Sequence, residues 1–271
     1  MSLSLLTAES NISVMRILHI FSMAGVAEML CEGDDQVLQL EQFDSMGFAE
    51  HYKATKRYED VKKLIKDAVM IEHLFNKIII HDFHEYKYLF PKGKITLYFH
   101  GSKLRGMDET ELSQVREYPC IVSTPDLLDI LPEALYLPVP VDLELFGAEQ
   151  FGDDTIKEAW ICMNRKHDQD IIEPIIKAKY PKAEYLPRTK DTQIDYEDMP
   201  MFLSQYTDYV DWKFTYDKPL PLTINATSCT GLQALAVGCR VWDHNGIKLS
   251  RNLLVIHDKK RIQKMFRKEL E

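Results

Sequence analysis

The chain contains no Cys-x-x-Cys pair, no long uninterrupted apolar run, no excess of positive charge and no internal repeat of solenoid period. Each absence removes a class of protein. The five cysteines (Cys31, Cys120, Cys162, Cys229 and Cys239) are odd in number and scattered, without Cys/His pairing at metal-ligand spacing. A disulfide framework or zinc module is therefore not expected, whereas buried reduced thiols and a cytoplasmic address are. The apolar stretch from Ile12 to Leu30 is interrupted by Arg16 and His19 and carries Glu28 near its end, so it suits neither a membrane span nor a signal segment. The sequons at Asn11 and Asn225 then have no bearing on glycosylation. A formal net charge of −9 at pH 7 gives no electrostatic reason to expect nucleic acid along the whole surface, so no nucleic-acid partner is expected and Lys and Arg must act locally.

What is present is globular. A chain of 271 residues, 45% hydrophobic and 28% charged, can bury one large core or two modest ones. Residues 15–21 read as a strand, followed by a tight loop at Gly25 and a helix start at Val26. The spacing of Val61, Leu64, Ile65, Val69 and Ile71 predicts a helix over 58–75. The run Ile78-Ile-Ile80, ending at His81-Asp82, predicts a buried parallel strand. Further strands are expected at 95–99 (ending in His100-Gly101), at 120–124 before a helix start at 125–130, and at 134–137 before Pro138 to Asp142. Strands alternating with helices predict an α/β fold with a doubly wound parallel sheet, whose ligands bind at the carboxyl ends of the strands.

Residues 144–154 read as a linker, after which the alternation restarts at 156–163 and 171–178. Helix is expected at 199–206, strand at 209–214, helix at 231–237 with a stop at Gly238, and strand at 239–242. Residues 259–270 form a basic amphipathic helix, packed by Ile262, Met265 and Phe266, with its basic face available to solvent or to an anionic membrane surface. The expected division is an N-terminal domain over 1–147, a second over 148–254, and a final helical segment over 255–271 that can cross back to the first.

Four segments, in this order, resemble blocks of the GT-B glycosyltransferases of the family 4 group, to which glycogen synthase and bacterial mannosyl- and hexosyltransferases belong. They are the opening strand with Gly25, the block Tyr98-Phe-His100-Gly-Ser-Lys-Leu-Arg105-Gly106, the pair Ile121-Val-Ser-Thr-Pro125-Asp-Leu-Leu and Leu137-Pro-Val-Pro140-Val-Asp142, and the block Gly231-Leu-Gln-Ala-Leu-Ala-Val-Gly238. The resemblance implies two Rossmann-like domains facing a cleft. It also implies retaining, metal-independent transfer of a hexose from a nucleotide-sugar, of the UDP or GDP kind, to a hydroxyl of a glycan, lipid or small molecule. No cofactor beyond the nucleotide-sugar substrate is implied.

On that resemblance His100 and Asn225 are the catalytic candidates. Gly25, Arg165, Lys166, Gly231 and Gln233 are donor-binding candidates, and Arg105 is a candidate contact for the acceptor or an anion. Plainer readings stand beside these: an ordinary turn at Gly25, a capping or core histidine at His100, a solvated helix start at Arg165 and Lys166, and a surface residue at Arg105. The segment His81-Asp82-Phe-His84-Glu85 holds metal-capable side chains but reads as a strand end and loop rather than a metal site.

The sharpest departure from the family is the loss of both glutamates of its Glu-x7-Glu motif, since the same spacing falls on Asn225 and Gln233. An amide still exchanges hydrogen bonds with sugar hydroxyls but carries no charge to stabilise a developing cation. A catalytically impaired binder of nucleotide-sugars or glycans is therefore the alternative, with a sugar-nucleotide epimerase behind it.

Overall fold

A computed structural model describes residues 15–20, 26–38, 55–147, 159–165, 169–189, 192, 194–212, 214–215, 218–219 and 228–271. The strands are β1 (Ile17–Ile20), β2 (Gln36–Leu38), β3 (Lys77–His81), β4 (Ile95–Phe99), β5 (Cys120–Val122), β6 (Leu135–Tyr136), β7 (Trp160–Arg165), β8 (Ala183–Arg188), β9 (Asp208–Asp211), the short antiparallel pair β10 (Phe214–Thr215) and β11 (Lys218–Pro219), and β12 (Arg240–Asp243). The helices are α1 (Val26–Leu30), α2 (Thr55–Ile71), α3 (Ser102–Arg105), α4 (Glu109–Val115), α5 (Leu143–Phe146), α6 (Gln169–Lys179), α7 (Met199–Leu203), α8 (Cys229–Val237), α9 (Leu253–His257) and α10 (Lys259–Leu270).

The expectation of an α/β fold holds as two parallel sheets. The first has six strands in the order β2-β1-β3-β4-β5-β6, and the second has four in the order β12-β9-β7-β8. All neighbours in both are parallel. Counted from its own first strand, each sheet is wound 2-1-3-4, so each changes direction between its first and third strands. The carboxyl edge at that reversal is where an open α/β sheet forms its crevice.

The first sheet is covered on both faces, as its nearly continuous apolar strands require. Leu18, Ile20, Ile78, Ile80, Leu97, Phe99 and Val122 point to one face and pack with Leu64 and Ala68 of α2 and with Leu112 and Val115 of α4. Ile17, Ile79, Tyr98 and Ile121 alternate to the other face, against Val26 and Leu30 of α1 and Ile262, Phe266 and Leu270 of α10. The final helix therefore covers the first sheet although it lies beyond the second in sequence. Its entry is fixed where Val141 and Asp258 form a parallel bridge, with Val141 N donating to His257 O (2.7 Å) and Lys259 N donating to Val141 O (3.0 Å). Asp258 caps α10 by accepting from Arg261 N, and Lys259 Nζ reaches Asp142 at 2.8 Å.

The second sheet packs its own cluster, in which Ile161, Tyr209 and Val241 meet Leu232, Leu235 and Val237 of α8. Gly238 ends α8 in the left-handed region at φ 113°, as a glycine stop does. Asp208, wholly buried in β9, accepts from Arg240 Nε (2.8 Å), Trp242 Nε1 (2.8 Å) and Thr207 Oγ1 (2.7 Å).

Several boundaries move, each for a local reason. The stretch expected as a linker begins inside α5, because Asp142 caps Glu144 and Leu145 at 3.1 Å each and Phe146 is fully buried. The helix start at 125–130 stays a 3-10 turn over Pro125–Asp129. Strands β2 and β8 and helix α4 were not anticipated. The capping box of α4, with Asp108 and Glu111 exchanging hydrogen bonds with each other's backbone N–H, was a readable signal.

Two stability predictions follow from this packing. Phe266→Ala lowers the unfolding free energy by about 3–5 kcal/mol in a urea titration, while Lys264→Ala on the exposed side of α10 changes it by less than about 0.5 kcal/mol. Burial pushes the Asp208 carboxyl up, but the bonds from Arg240, Trp242 and Thr207 outweigh burial and hold it below the usual range. Its stabilising effect is thus complete above an unfolded carboxyl value of about 3.9 and is lost as pH falls through the lower folded value. Asp208→Asn removes that part of the acid dependence, read as a flatter plot of unfolding free energy against pH in the acid range.

Candidate functional site

The reversal of the first sheet carries a line of three imidazoles. Alternation along β1, β3 and β4 puts His19 on the face of Ile17, His81 on the face of Ile79, and His100 on the face of Tyr98. In the register, His19 lies opposite Ile79 and His81 opposite Tyr98. His81 is therefore two residues further along its strand than the partner of His19, and His100 two residues beyond the partner of His81. The line climbs diagonally across three adjacent strands to the carboxyl edge, where His100 follows the last residue of β4.

The rings are in contact along this line. His19 Nδ1 lies 3.1 Å from His81 Nε2, and His81 Nδ1 lies 2.8 Å from His100 Nε2. The rings of His81 and His100 lie edge to edge in nearly one plane, with centroids 5.2 Å apart and 3° between them, and Tyr98 leans on His100 at 4.4 Å. Burial depresses all three. It brings His19 down to about 3, with Arg267 acting in the same direction. It holds His81 well below the ordinary value, reinforced by His100 and His19, and it lowers His100 against the opposing pull of Asp82. All three are neutral at neutral pH, so each ring offers one donor and one acceptor.

The backbone at this edge is strained. Asp82 is the single non-glycine residue with positive φ (57°) among the described residues, and Gly101 has φ 133°. Asp82 is held there because its Oδ1 accepts the backbone N–H of His100 at 2.9 Å. Burial pushes the Asp82 carboxyl up, and the His100 ring and N–H together with Lys103 pull it back. A Cβ at Gly101 would lie 2.5 Å from the Arg105 guanidinium, so glycine leaves room for that arginine to fold back. Strain of this kind gathers where the surroundings over-determine a site.

The remaining sequence candidates fall unevenly. Arg105 is committed: its Nε and Nη2 donate to Asp126 Oδ2 at 2.9 and 2.6 Å, and Nη2 also reaches Thr124 Oγ1. Gly231 and Gln233 are buried in α8. The amino end of that helix is already occupied, since Ser228 Oγ accepts from Gly231 N (2.9 Å) and donates to Asp211 Oδ1 (2.6 Å). Arg165 is the last residue of β7, at the carboxyl edge of the second sheet. Gly25, Lys166 and Asn225 lie outside the described residues.

In the segment 81–85, His84 Nδ1 lies 3.5 Å from Glu85 Oε2 while His81 joins the imidazole line. Among the described residues, the cluster that gathers three metal-capable groups is His19, Cys31 and Asp35. Sequence reasoning singled out His100 but missed its partners His19 and His81, because strand order, which brings them together, is not written in any local pattern.

These features define the class: an α/β protein with two parallel, doubly wound sheets and a polar line at the reversal of the first. No helix among the described residues is long and apolar enough to cross a membrane. No protein-family model and no curated protein matches the chain. Among solved structures, it is similar to the N-terminal domain of trehalose-6-phosphate phosphatase from Candida albicans, at 11% identity over 94% of this chain and 89% of that one, with a TM-score of 0.47.

The geometry at Asp82 yields a graded prediction. Asp82→Asn keeps the acceptor for His100 N–H and tolerates positive φ, so its melting temperature stays close to that of the wild type. Asp82→Val loses the bond and adds a β-branched side chain at φ 57°, lowering stability by about 2–4 kcal/mol in denaturant titration.

Proposed function

We propose that the chain is a hexosyltransferase of the GT-B kind, acting in the cytoplasm, which moves a hexose from a nucleotide-sugar to a hydroxyl of a glycan, lipid or small acceptor. The observation that carries this reading is the position of His100: neutral, at the carboxyl edge of the parallel sheet one strand beyond its reversal, and inside the block that resembles the family. A neutral imidazole held by the Tyr98 ring and by the His81 hydrogen bond can exchange hydrogen bonds with a sugar hydroxyl without introducing charge. Five cysteines with no disulfide among them support a reducing compartment.

In this reading residues 1–147 hold the acceptor and residues 148–254 the donor. Arg165 and Lys166 supply the cations for the diphosphate, because Asp211 and Ser228 already fill the amino end of α8. Gly25 lets the first loop approach the donor closely, and Gly231, Gln233 and Asn225 contact its sugar and ribose. Arg105, neutralised by Asp126, braces the loop after His100 rather than meeting an anion. The exposed Lys260, Arg261, Lys264 and Lys268 of α10 support a peripheral contact with an anionic membrane. The transfer step needs neither metal nor cofactor.

A second reading, an impaired relative that binds without turnover, is favoured by the buried amide of Gln233 where the resemblance places a carboxylate.

Thermal unfolding in the presence of UDP, GDP, ADP, CDP and their sugar conjugates tests both. Under the transferase reading one nucleotide family raises the melting temperature by several degrees at about 100 times its Kd. His100→Ala then keeps the shift while abolishing transfer or hydrolysis. A shift without any turnover, together with activity created by Asn225→Glu combined with Gln233→Glu, selects the impaired relative. No shift with any nucleotide overturns both.

A further inference from the structure

The buried end of the imidazole line points to a second site. His19 Nδ1 is committed to His81, which leaves Nε2, fully buried and without a hydrogen-bond partner. A buried, unsatisfied ring nitrogen calls for a partner. One donor atom from each of His19, Cys31 and Asp35 lies within 4.8 Å of the others, and of the two His19 nitrogens Nε2 is the one not already bonded to His81. Cys31 follows the last turn of α1, its backbone N–H bonded to Ala27 O, and Asp35 closes the turn before β2. Cys31 is partly buried, whereas the Asp35 side chain is fully buried beside Arg267.

We propose that His19 Nε2, Cys31 Sγ and an Asp35 carboxylate oxygen bind a divalent zinc-like cation, with water completing a tetrahedral shell. Nitrogen, sulfur and oxygen donors in this number suit Zn2+ with one open position. Binding replaces the Cys31 S–H bond by an S–Zn bond and releases that proton to solvent.

The surroundings are suited to this. A zinc-bound imidazole ordinarily donates its other N–H to a fixed acceptor, and here Nδ1 of His19 faces Nε2 of His81, whose own Nδ1 faces His100. Asp35 is held rigidly: its Oδ1 accepts from Ile17 N at 2.7 Å and its Oδ2 accepts from Glu32 N at 2.9 Å and from the Arg267 guanidinium. Arg267 has a second counter-charge in Glu32 at 3.5 Å, so it stays paired when a metal shares Asp35. The proposal does not rest on the transferase reading.

The test uses the full chain, stripped with a chelator and desalted, then titrated with Co2+ and afterwards with Zn2+. One equivalent of Co2+ should give a thiolate-to-cobalt charge-transfer band that Zn2+ removes. Cys31→Ser should lose the band and weaken Zn2+ binding at least about tenfold in competition with a chromophoric chelator, with an unchanged far-ultraviolet dichroism spectrum. Cys120→Ser, at another partly buried thiol, should retain both band and affinity. No band, a band that survives Cys31→Ser, or unaltered zinc affinity in that variant overturns the proposal.

Discussion

Period-two alternation along buried parallel strands is the constraint on which the candidate site depends. A strand covered on both faces has no solvent side on which to place a polar residue, so a histidine within it must find a partner inside the fold. His19 and His81 meet this demand by sharing a face and by sitting two residues out of register on adjacent strands. His100 extends the same diagonal past the end of β4 to the sheet edge. A one-residue slip in either of the two pairings would turn one ring to the α2 side, among Leu64, Ala68 and Phe75. The polar line therefore specifies register as well as supplying chemistry.

The same face explains the role of the final helix. Phe266 lies against the His19 ring at 5.7 Å, and Arg267, the next residue, reaches Asp35 and Met15 O. One turn of α10 thus supplies both the apolar cover over the buried imidazole and the counter-charge beside it. Tyr196, in the segment before α7, donates to Met29 of α1 at 3.4 Å, a further tie between the two parts of the chain. The last helix had an apolar stripe plain in the sequence, but which surface it covers depends on the Val141–Asp258 bridge, more than one hundred residues apart.

Much of the fold was legible because buried strands and capped helices leave local marks. The run Ile78 to Ile80, the Gly238 stop and the helical spacing of Ile262, Met265 and Phe266 each announce an element. Strand β8 hid because Ala183–Arg188 carries Glu184, Pro187 and Arg188, a composition that propensity assigns to loop, and it is placed by pairing along β7. The shared 2-1-3-4 winding left no sequence repeat, since a winding order constrains connection length and chirality rather than residue identity. His100 was legible from its block. The line behind it was not, nor was the metal-capable set, because it is assembled across β1, the end of α1 and the turn before β2 rather than along the chain.

Three neutral imidazoles in series hold three ring protons, and this links the two ends of the line. With one N–H per ring and two ring-to-ring bonds, the donors must all point the same way. If His100 donates from Nε2, then His81 donates to His19, whose remaining proton sits on the buried Nε2. If His19 donates from Nδ1, its Nε2 carries a lone pair, His81 donates from Nδ1, and His100 accepts at Nε2 while its own proton sits on Nδ1. A cation on His19 Nε2 requires the second arrangement, because only a lone pair can coordinate. Occupancy at the buried end would thus select the nitrogen of His100 that presents a proton at the sheet edge, without displacing any atom of the backbone. The hydrogen-bond order along the line makes the tautomer at one end a condition on the tautomer at the other.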